Sequence, residues 1–357
     1  MSADALATPL PRAVVDLAAL RHNVTRLVQI AAPAEVMLAV KANAYGHGLL
    51  PIARAGLEAG ATSLAVLEIP AGLVLRDAGI RVPLLAWLHG QQTDFLAAIE
   101  ADIELGISAR WQLDAIERAA ANRPAVVHLK VDTGLSRNGA SPEDWPALVD
   151  AALALQDAGI VRIRAAWSHL ADASIADDEA ALTEFHEAVT VARERGAEFE
   201  ILHLAASSAG IRMPQARFDL VRFGIAAYGI SPFDDASGAD LGLIPVMRLE
   251  APVTEVHLDG STRARIGIGF ADGMPTLGMA KASVLVNGAR RPIVDVGIDS
   301  TIIDHGNDRV RVGDTAVIFG SGHDGEPTAE KWADWAETIG DEMVTGVMPR
   351  VERIYVG

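Results

Sequence analysis

The residues best able to do chemistry lie in Lys41-Ala-Asn43-Ala-Tyr45-Gly-His47-Gly48. They follow Glu35-Val-Met-Leu-Ala-Val40, an apolar run with the length and bounds of a buried strand. A lysine closing such a run is costly, because an unpaired ammonium is strongly disfavoured in an apolar interior. Burial also lowers an amine's pKa, and a neutral amine can condense with a carbonyl to form a Schiff base. The plain alternative is a lysine whose charged end snorkels to the rim. Four further expected strand ends carry polar groups: Lys130 with Asp132, Ser168 with His169, Ser207 with Ser208, and Arg222. Loop entrances without a function need no such pattern.

The elements that must position these groups alternate. Strands are predicted near 35–41, 63–67, 83–87, 103–107, 125–131, 162–168, 199–204 and 219–223. Amphipathic helices lie between most of them, such as Asp177 to Arg195 with Leu182, Phe185, Val189 and Ala192 on one face. Eight strands alternating with helices predict an α/β fold, a (β/α)₈ barrel, whose catalytic groups sit at the C-terminal ends of the strands. A doubly wound open sheet is the alternative, because periodicity does not show closure. Ahead of them, Ala13–Leu17 reads as a strand, and Asp16 can cap a helix running to about Ile30. After Gly229 the pattern changes. Ser231 to Asp240 is a polar Pro/Gly-bearing connection. Beyond it, short runs at Val253–Leu258, Ala264–Ile268, Ser283–Val286, Ile293–Val296 and Ala316–Phe319 predict a small all-β domain, with one helix near Lys331 to Ile339. The expected division is a barrel over 1–233 and a C-terminal β-domain over 234–357, with residues 1–15 free to pack on the latter.

Half of the 357 residues are hydrophobic, enough for a large core, and no apolar stretch reaches membrane-spanning length. The amino terminus lacks a basic segment followed by an apolar one, so no signal peptide is expected and the cytoplasm is the predicted location. The chain has no cysteine, which excludes disulfides, thiolate metal sites and cysteine nucleophiles. Its histidines lack zinc-ligand spacing, so no metal is expected. A formal charge of −17 argues against nucleic acid or an anionic membrane as partner. An anionic ligand would therefore need local arginines and backbone amides.

Lys41-Ala-Asn-Ala-Tyr-Gly-His-Gly48 resembles the pyridoxal-phosphate lysine motif of the alanine racemases. Lys130-Val-Asp-Thr-Gly-Leu-Ser-Arg137-Asn-Gly, Ser168-His169-Leu-Ala-Asp172 and Arg222-Phe-Gly-Ile-Ala-Ala-Tyr228-Gly resemble further motifs of that family, in the right order. The resemblance runs from about Arg12 to Gly229 and, more weakly, to the carboxyl terminus. It implies a pyridoxal 5'-phosphate enzyme acting at the α-carbon of a small amino acid. Lys41 would carry the cofactor. Tyr45, Ser207, Tyr355 and the amides of Gly224 and Ile225 would hold its phosphate. Arg222 would face the pyridine nitrogen with His169 behind it. Arg137 would approach the phenolic oxygen and, with the amide of Ile298, the substrate carboxylate. Lys130 matches a lysine that some members carbamylate, and an ordinary Lys130–Asp132 pair is the other reading. The family's β-domain usually completes a partner's active site, so a head-to-tail homodimer is implied.

Three departures stand out. The family places a second catalytic base, a tyrosine, in a Ser-Tyr-Gly loop ahead of Gly-Tyr-Ala-Asp-Gly. Here that segment is Gly269-Phe270-Ala-Asp272-Gly273, and before it stands only Asp259-Gly-Ser-Thr-Arg-Ala-Arg-Ile-Gly-Ile268. The chain's three tyrosines, Tyr45, Tyr228 and Tyr355, all match other family positions. Gly297-Ile298-Asp299 replaces a usual Met-Asp, and Ala206 replaces a common asparagine. The missing tyrosine raises a rival reading, a one-base catalyst doing aldol-type, transfer or exchange chemistry on one face of the α-carbon. A non-catalytic pyridoxal-phosphate-binding protein is the rival from another class. His257, Arg265 and Asp272 are the side chains to weigh as replacements for the tyrosine.

Overall fold

The computed structural model describes residues 10–119, 121–256 and 261–357. The chain divides into two compact units, one from the described residues of Met1–Asn23, Asn43–Ala55 and Ile225–Gly357, the other from Val24–Ala42 and Gly56–Gly224. The first strand, β1 (Arg12–Asp16), lies in the former. The Asp16 carboxylate accepts the amides of Ala18 and Ala19 at 2.8 and 3.0 Å, starting the expected helix at Leu17 and carrying it to Ala31.

The unit around Gly56–Gly224 is an eight-stranded parallel sheet: β2 (Glu35–Ala39), β3 (Ser63–Val66), β4 (Leu84–Ala86), β5 (Glu104–Ile107), β6 (Ala125–Lys130), β7 (Val161–Trp167), β8 (Ile201–His203) and β9 (Leu220–Phe223). Neighbours follow chain order from β2 to β8, and β9 pairs with β2 on its other side. The seam between β8 and β9 is bridged by Asp219 N to Leu202 O at 3.1 Å and Arg222 N to Ala205 O at 3.1 Å. The sheet is thus a nearly closed (β/α)₈ barrel, and the open-sheet alternative falls. Met37, Ala65, Leu85 and Leu220, from four different strands, fill a core layer against Trp87 and Ile201. The parallel register sets Lys130 opposite Trp167, and Trp167 opposite His203, across β6, β7 and β8. Residues far apart in the chain are thereby brought level at the C-terminal ends of the strands.

In the other unit, β10 (Met247–Val256), β11 (Arg263–Ile266), β12 (Ser283–Val286), β13 (Ala289–Val296), β14 (Thr301–Asp304) and β15 (Thr315–Phe319) form an antiparallel ring in the order β10-β11-β14-β13-β12-β15. β1 pairs antiparallel with β10 and parallel with β16 (Glu352–Val356). The sequence reading misses β14 and β16, both short, and the helix Gly340–Thr345 beside the expected one at Ala329–Ala336. Leu258, the expected end of the Val253 run, lies outside the described residues. No helix among the described residues is long and apolar enough to cross a membrane.

Candidate active site

Lys41 stands two residues beyond β2, half-buried, and opens one left-handed helical turn. Ala42, Asn43, Ala44 and Tyr45 have φ of 51, 55, 56 and 51°. Left-handed helix costs an L-residue about 1–2 kcal/mol, so a run of four needs external support. Much of that support is polar. Gly48 N donates to Asn43 O at 2.9 Å, His47 N to Ala44 O at 3.0 Å, and Leu49 N to Asn43 Oδ1 at 2.9 Å. His47 Nδ1 is 3.0 and 2.9 Å from the carbonyls of Ala44 and Tyr45, so it is the protonated nitrogen. Burial, outweighing those carbonyls, pulls His47 down to about 4 and keeps it neutral. Gly48 has φ of 107°, and a Cβ there would stand 1.9 Å from the Tyr355 hydroxyl. Only glycine fits both conditions.

Tyr45 is buried with its ring 4.8 Å from that of Tyr228. Burial, reinforced by Asp341, pushes its phenol up, so it serves as a donor throughout the neutral range. Burial also raises the partly exposed Tyr355, against the charge of Arg353. Ile225 is buried at the start of the 3₁₀ turn Ile225–Tyr228.

Within the barrel unit, the strand ends gather cations around one imidazole. Arg222, buried after Val221 in β9, donates from Nη2 to Ser168 O at 2.8 Å, to Leu204 O at 3.0 Å and to His169 Nδ1 at 3.0 Å. Its Nη1 donates to His203 Nδ1 at 2.9 Å. It has no carboxylate among these partners, and burial pulls it down to about 9, still charged at neutral pH. Burial first, then Arg222, Arg137, Lys130 and Lys41, hold His169 well below the usual imidazole range. Lys130 is buried with Nζ 4.8 Å above the Trp167 ring, and burial with Arg222 and Arg137 brings it down to about 8 against the pull of Asp132. Asp132 acts on Lys130 through its charge and also organises its own loop. Its carboxylate accepts the amides of Gly134 and Ser136 at 3.1 and 3.0 Å, shaping the loop that carries exposed Arg137. Ser207 is buried, and its Oγ accepts the Gly224 amide at 3.2 Å.

The barrel therefore brings together Lys41, Lys130, Arg137, His169 and Arg222, while Tyr45, Ile225, Ile298 and Tyr355 belong to the other unit. Four cations around a neutral imidazole repel one another unless an anion joins them, so the donor set suits a ligand with several negative acceptors.

Ile298 is 65% exposed, with its carbonyl accepting Ala271 N at 2.8 Å. The weighed replacements for the tyrosine divide. Asp272 is fully buried and accepts Arg350 Nε at 2.5 Å and the Gly269 amide at 2.9 Å, so it holds its own loop. Arg265 donates to Glu255 at 3.0 Å and Ser300 at 3.2 Å. His257 lies outside the described residues. Sequence reasoning passes over Glu104, His128 and His203, which line up behind Arg222. The readable signal is a polar residue inside each of three short apolar strands.

A family model described as "Alanine racemase, N-terminal domain" matches residues 15–232, and "Alanine racemase, C-terminal domain" matches 253–355. The chain belongs to the alanine racemase family. It is 43% identical to the alanine racemase of Beutenbergia cavernae, covering 97% of this chain and 98% of that one. Among solved structures, the alanine racemase of D-cycloserine-producing Streptomyces lavendulae superposes with a TM-score of 0.95 at 39% identity, covering 98% of each chain. That of Streptomyces coelicolor A3(2) gives 0.94 at 40%, again over 98% of each. The family makes the chain an alanine-racemase-like isomerase.

Proposed function

We propose that this family member binds pyridoxal 5'-phosphate on Lys41 and acts at the α-carbon of a small amino acid, alanine by family. The observation that carries the reading is the cationic cluster Lys41, Lys130, Arg137 and Arg222 around neutral His169 at the strand ends of the barrel. Bound there, the cofactor would supply a carbonyl for amines and a conjugated ring that draws electrons from the α-carbon. Arg222 would meet the ring nitrogen as a donor that keeps its own proton, which limits electron withdrawal and favours brief proton transfer over transamination. Tyr45, Ser207, Tyr355 and the amides of Gly224 and Ile225 would hold the phosphate. Arg137 and the Ile298 amide would take the substrate carboxylate. Lys130, an amine already lowered toward neutrality, is the candidate for carbamylation. We place the work in a cytoplasmic head-to-tail homodimer, with 1–233 as cofactor barrel, its residues 1–15 packing with the β-domain, and 234–357 as that β-domain.

The test is borohydride reduction of the purified protein followed by peptide mapping, beside chiral chromatography of L- and D-amino acids incubated with it. Label on Lys41 and a product of changed chirality are expected. Label on Lys130 or Lys281 sinks the assignment. A second reading, proton transfer on the lysine face alone, is favoured by one observation. All three tyrosines match other family positions, and Asp272 and Arg265 are both tied to partners.

A further inference from the structure

Behind Arg222 a buried chain of hydrogen bonds runs across the barrel. Arg222 Nη1 lies 2.9 Å from His203 Nδ1, His203 Nε2 lies 2.9 Å from His128 Nδ1, and His128 Nε2 lies 2.8 Å from Glu104 Oε2. Arg164 donates to the other oxygen, Oε1. His128 and His203 have no exposed surface, and Glu104 has little.

The direction of this chain is forced. A guanidinium only donates, so His203 Nδ1 must be bare. Neutral His203 then carries its proton on Nε2, which needs an acceptor, so His128 Nδ1 is bare as well. His128 therefore keeps its proton on Nε2 and gives it to a carboxylate. Burial opposes the charge on Glu104, but His128 and Arg164 together outweigh it and hold its carboxyl below the usual range.

We propose that Glu104 is a positioning residue that fixes the proton order of His128 and His203 and so keeps an acceptor facing Arg222. With Nη1 anchored on His203 and Nη2 on Ser168, Leu204 and His169, the guanidinium plane is held from two sides. The purpose of this anchoring, to present Arg222 to a cofactor ring, rests on the function proposed above. The proton order itself does not.

Glu104→Gln separates the two. Arg164 still needs an acceptor and claims the amide oxygen, leaving the amide NH₂ toward His128. Both imidazoles must then reverse, and His203 Nδ1–H meets Arg222 N–H, two donors face to face. In the double variant Glu104→Gln/Arg164→Met nothing competes for the oxygen, which can turn back to His128 and restore the order.

The measurement is ¹⁵N NMR of histidine-labelled, cofactor-free protein, with His203 assigned through its contact with the Trp167 ring, on which it stacks. The wild type is expected to show bare Nδ1 and protonated Nε2 on both residues, Glu104→Gln the reverse, and the double variant the wild-type pattern. In loaded enzyme, kcat should fall about tenfold in Glu104→Gln and recover in the double variant, the lower end of what losing a group behind a ligand costs. KM for the amino acid should hold. A protonated Nδ1 on either wild-type histidine overturns the proposal even if Glu104→Gln fails to fold. Reversed tautomers with unchanged kcat also overturn it, because Arg222 would not depend on the chain. Failure of the protein to take up pyridoxal phosphate overturns the functional reading instead, while the wild-type tautomers still decide the proton order.

Discussion

At the strand ends of the barrel, charge is concentrated. Arg222 is buried on carbonyls and imidazoles, Lys130 is buried over Trp167, and both depress the imidazole of His169. In the β-unit the segment Gly269–Gly273 treats charge the opposite way. Asp272 is just as buried, but Arg350 and the Gly269 amide consume its carboxylate, and the neighbouring Phe270 and Ile298 expose apolar surface. One region holds ionisable groups with spare capacity, the other spends its acid on its own loop. Among the described residues, groups able to carry a proton gather in the first region, and the acid of Gly269–Gly273 is already committed.

The sharpest test of that difference is the ratio of exchange to inversion. By family resemblance the lysine handles the α-proton of the D-enantiomer and the absent tyrosine that of the L-enantiomer. A well-placed acid or base contributes about 10² to 10⁴ in rate. In D₂O, proton NMR should therefore show a D-amino acid losing its α-proton about 10² to 10⁴ faster than the centre inverts. L-alanine exchanging as fast as D-alanine, with inversion keeping pace, would break the comparison and turn attention to His257.

A smaller effect concerns pH. His47 is fully buried with a pKa of about 4. The unfolded chain, with an ordinary histidine, binds more protons between pH ~4 and ~6.5, so stability rises with pH across that window. The full swing is about 3 kcal/mol for this group. Denaturant melts of His47→Gln across the window should lose roughly that part of the slope. An unchanged slope would mean the turn does not hold His47 neutral.

Asp272→Asn comes next. It should lower stability by about 2 kcal/mol, the scale of losing hydrogen bonds to a charged group. Thermal melts measure this, and D-alanine exchange should be untouched. Loss of exchange at full stability would make Asp272 a proton carrier, against its geometry.

The smallest effect is a gain. Ala42 is exposed with φ of 51°, so Ala42→Gly should stabilise the fold by about 1 kcal/mol by relieving left-handed strain. A loss of stability in the same melts would show that the turn is not strained there.

Much of the fold was legible because alternation and apolar periodicity are local. The eight barrel strands, the helix capped by Asp16 and the core runs of the β-unit follow from residues near one another. The short strands Thr301–Asp304 and Glu352–Val356 were not legible, since four or five mixed residues carry no period until a neighbouring strand pairs with them. Lys41, Lys130, His169 and Arg222 were readable as candidates from their positions at strand ends.

The sequence by itself determined that a lysine would end a buried strand, that no cysteine could serve, and that no fourth tyrosine exists. Only the tertiary structure decided what those groups became. Lys130 falls to about 8 because the fold buries it and brings up Arg222, which is distant in the chain, beside the nearby Arg137. Asp132 and Asp272 are tied to their loops because loop closure aims backbone amides and an arginine at them. Glu104, His128, His203 and Arg222 lie on four separate strands, and their proton order exists only where the barrel's register aligns them. Burial and alignment are collective properties, so no window of sequence contains them.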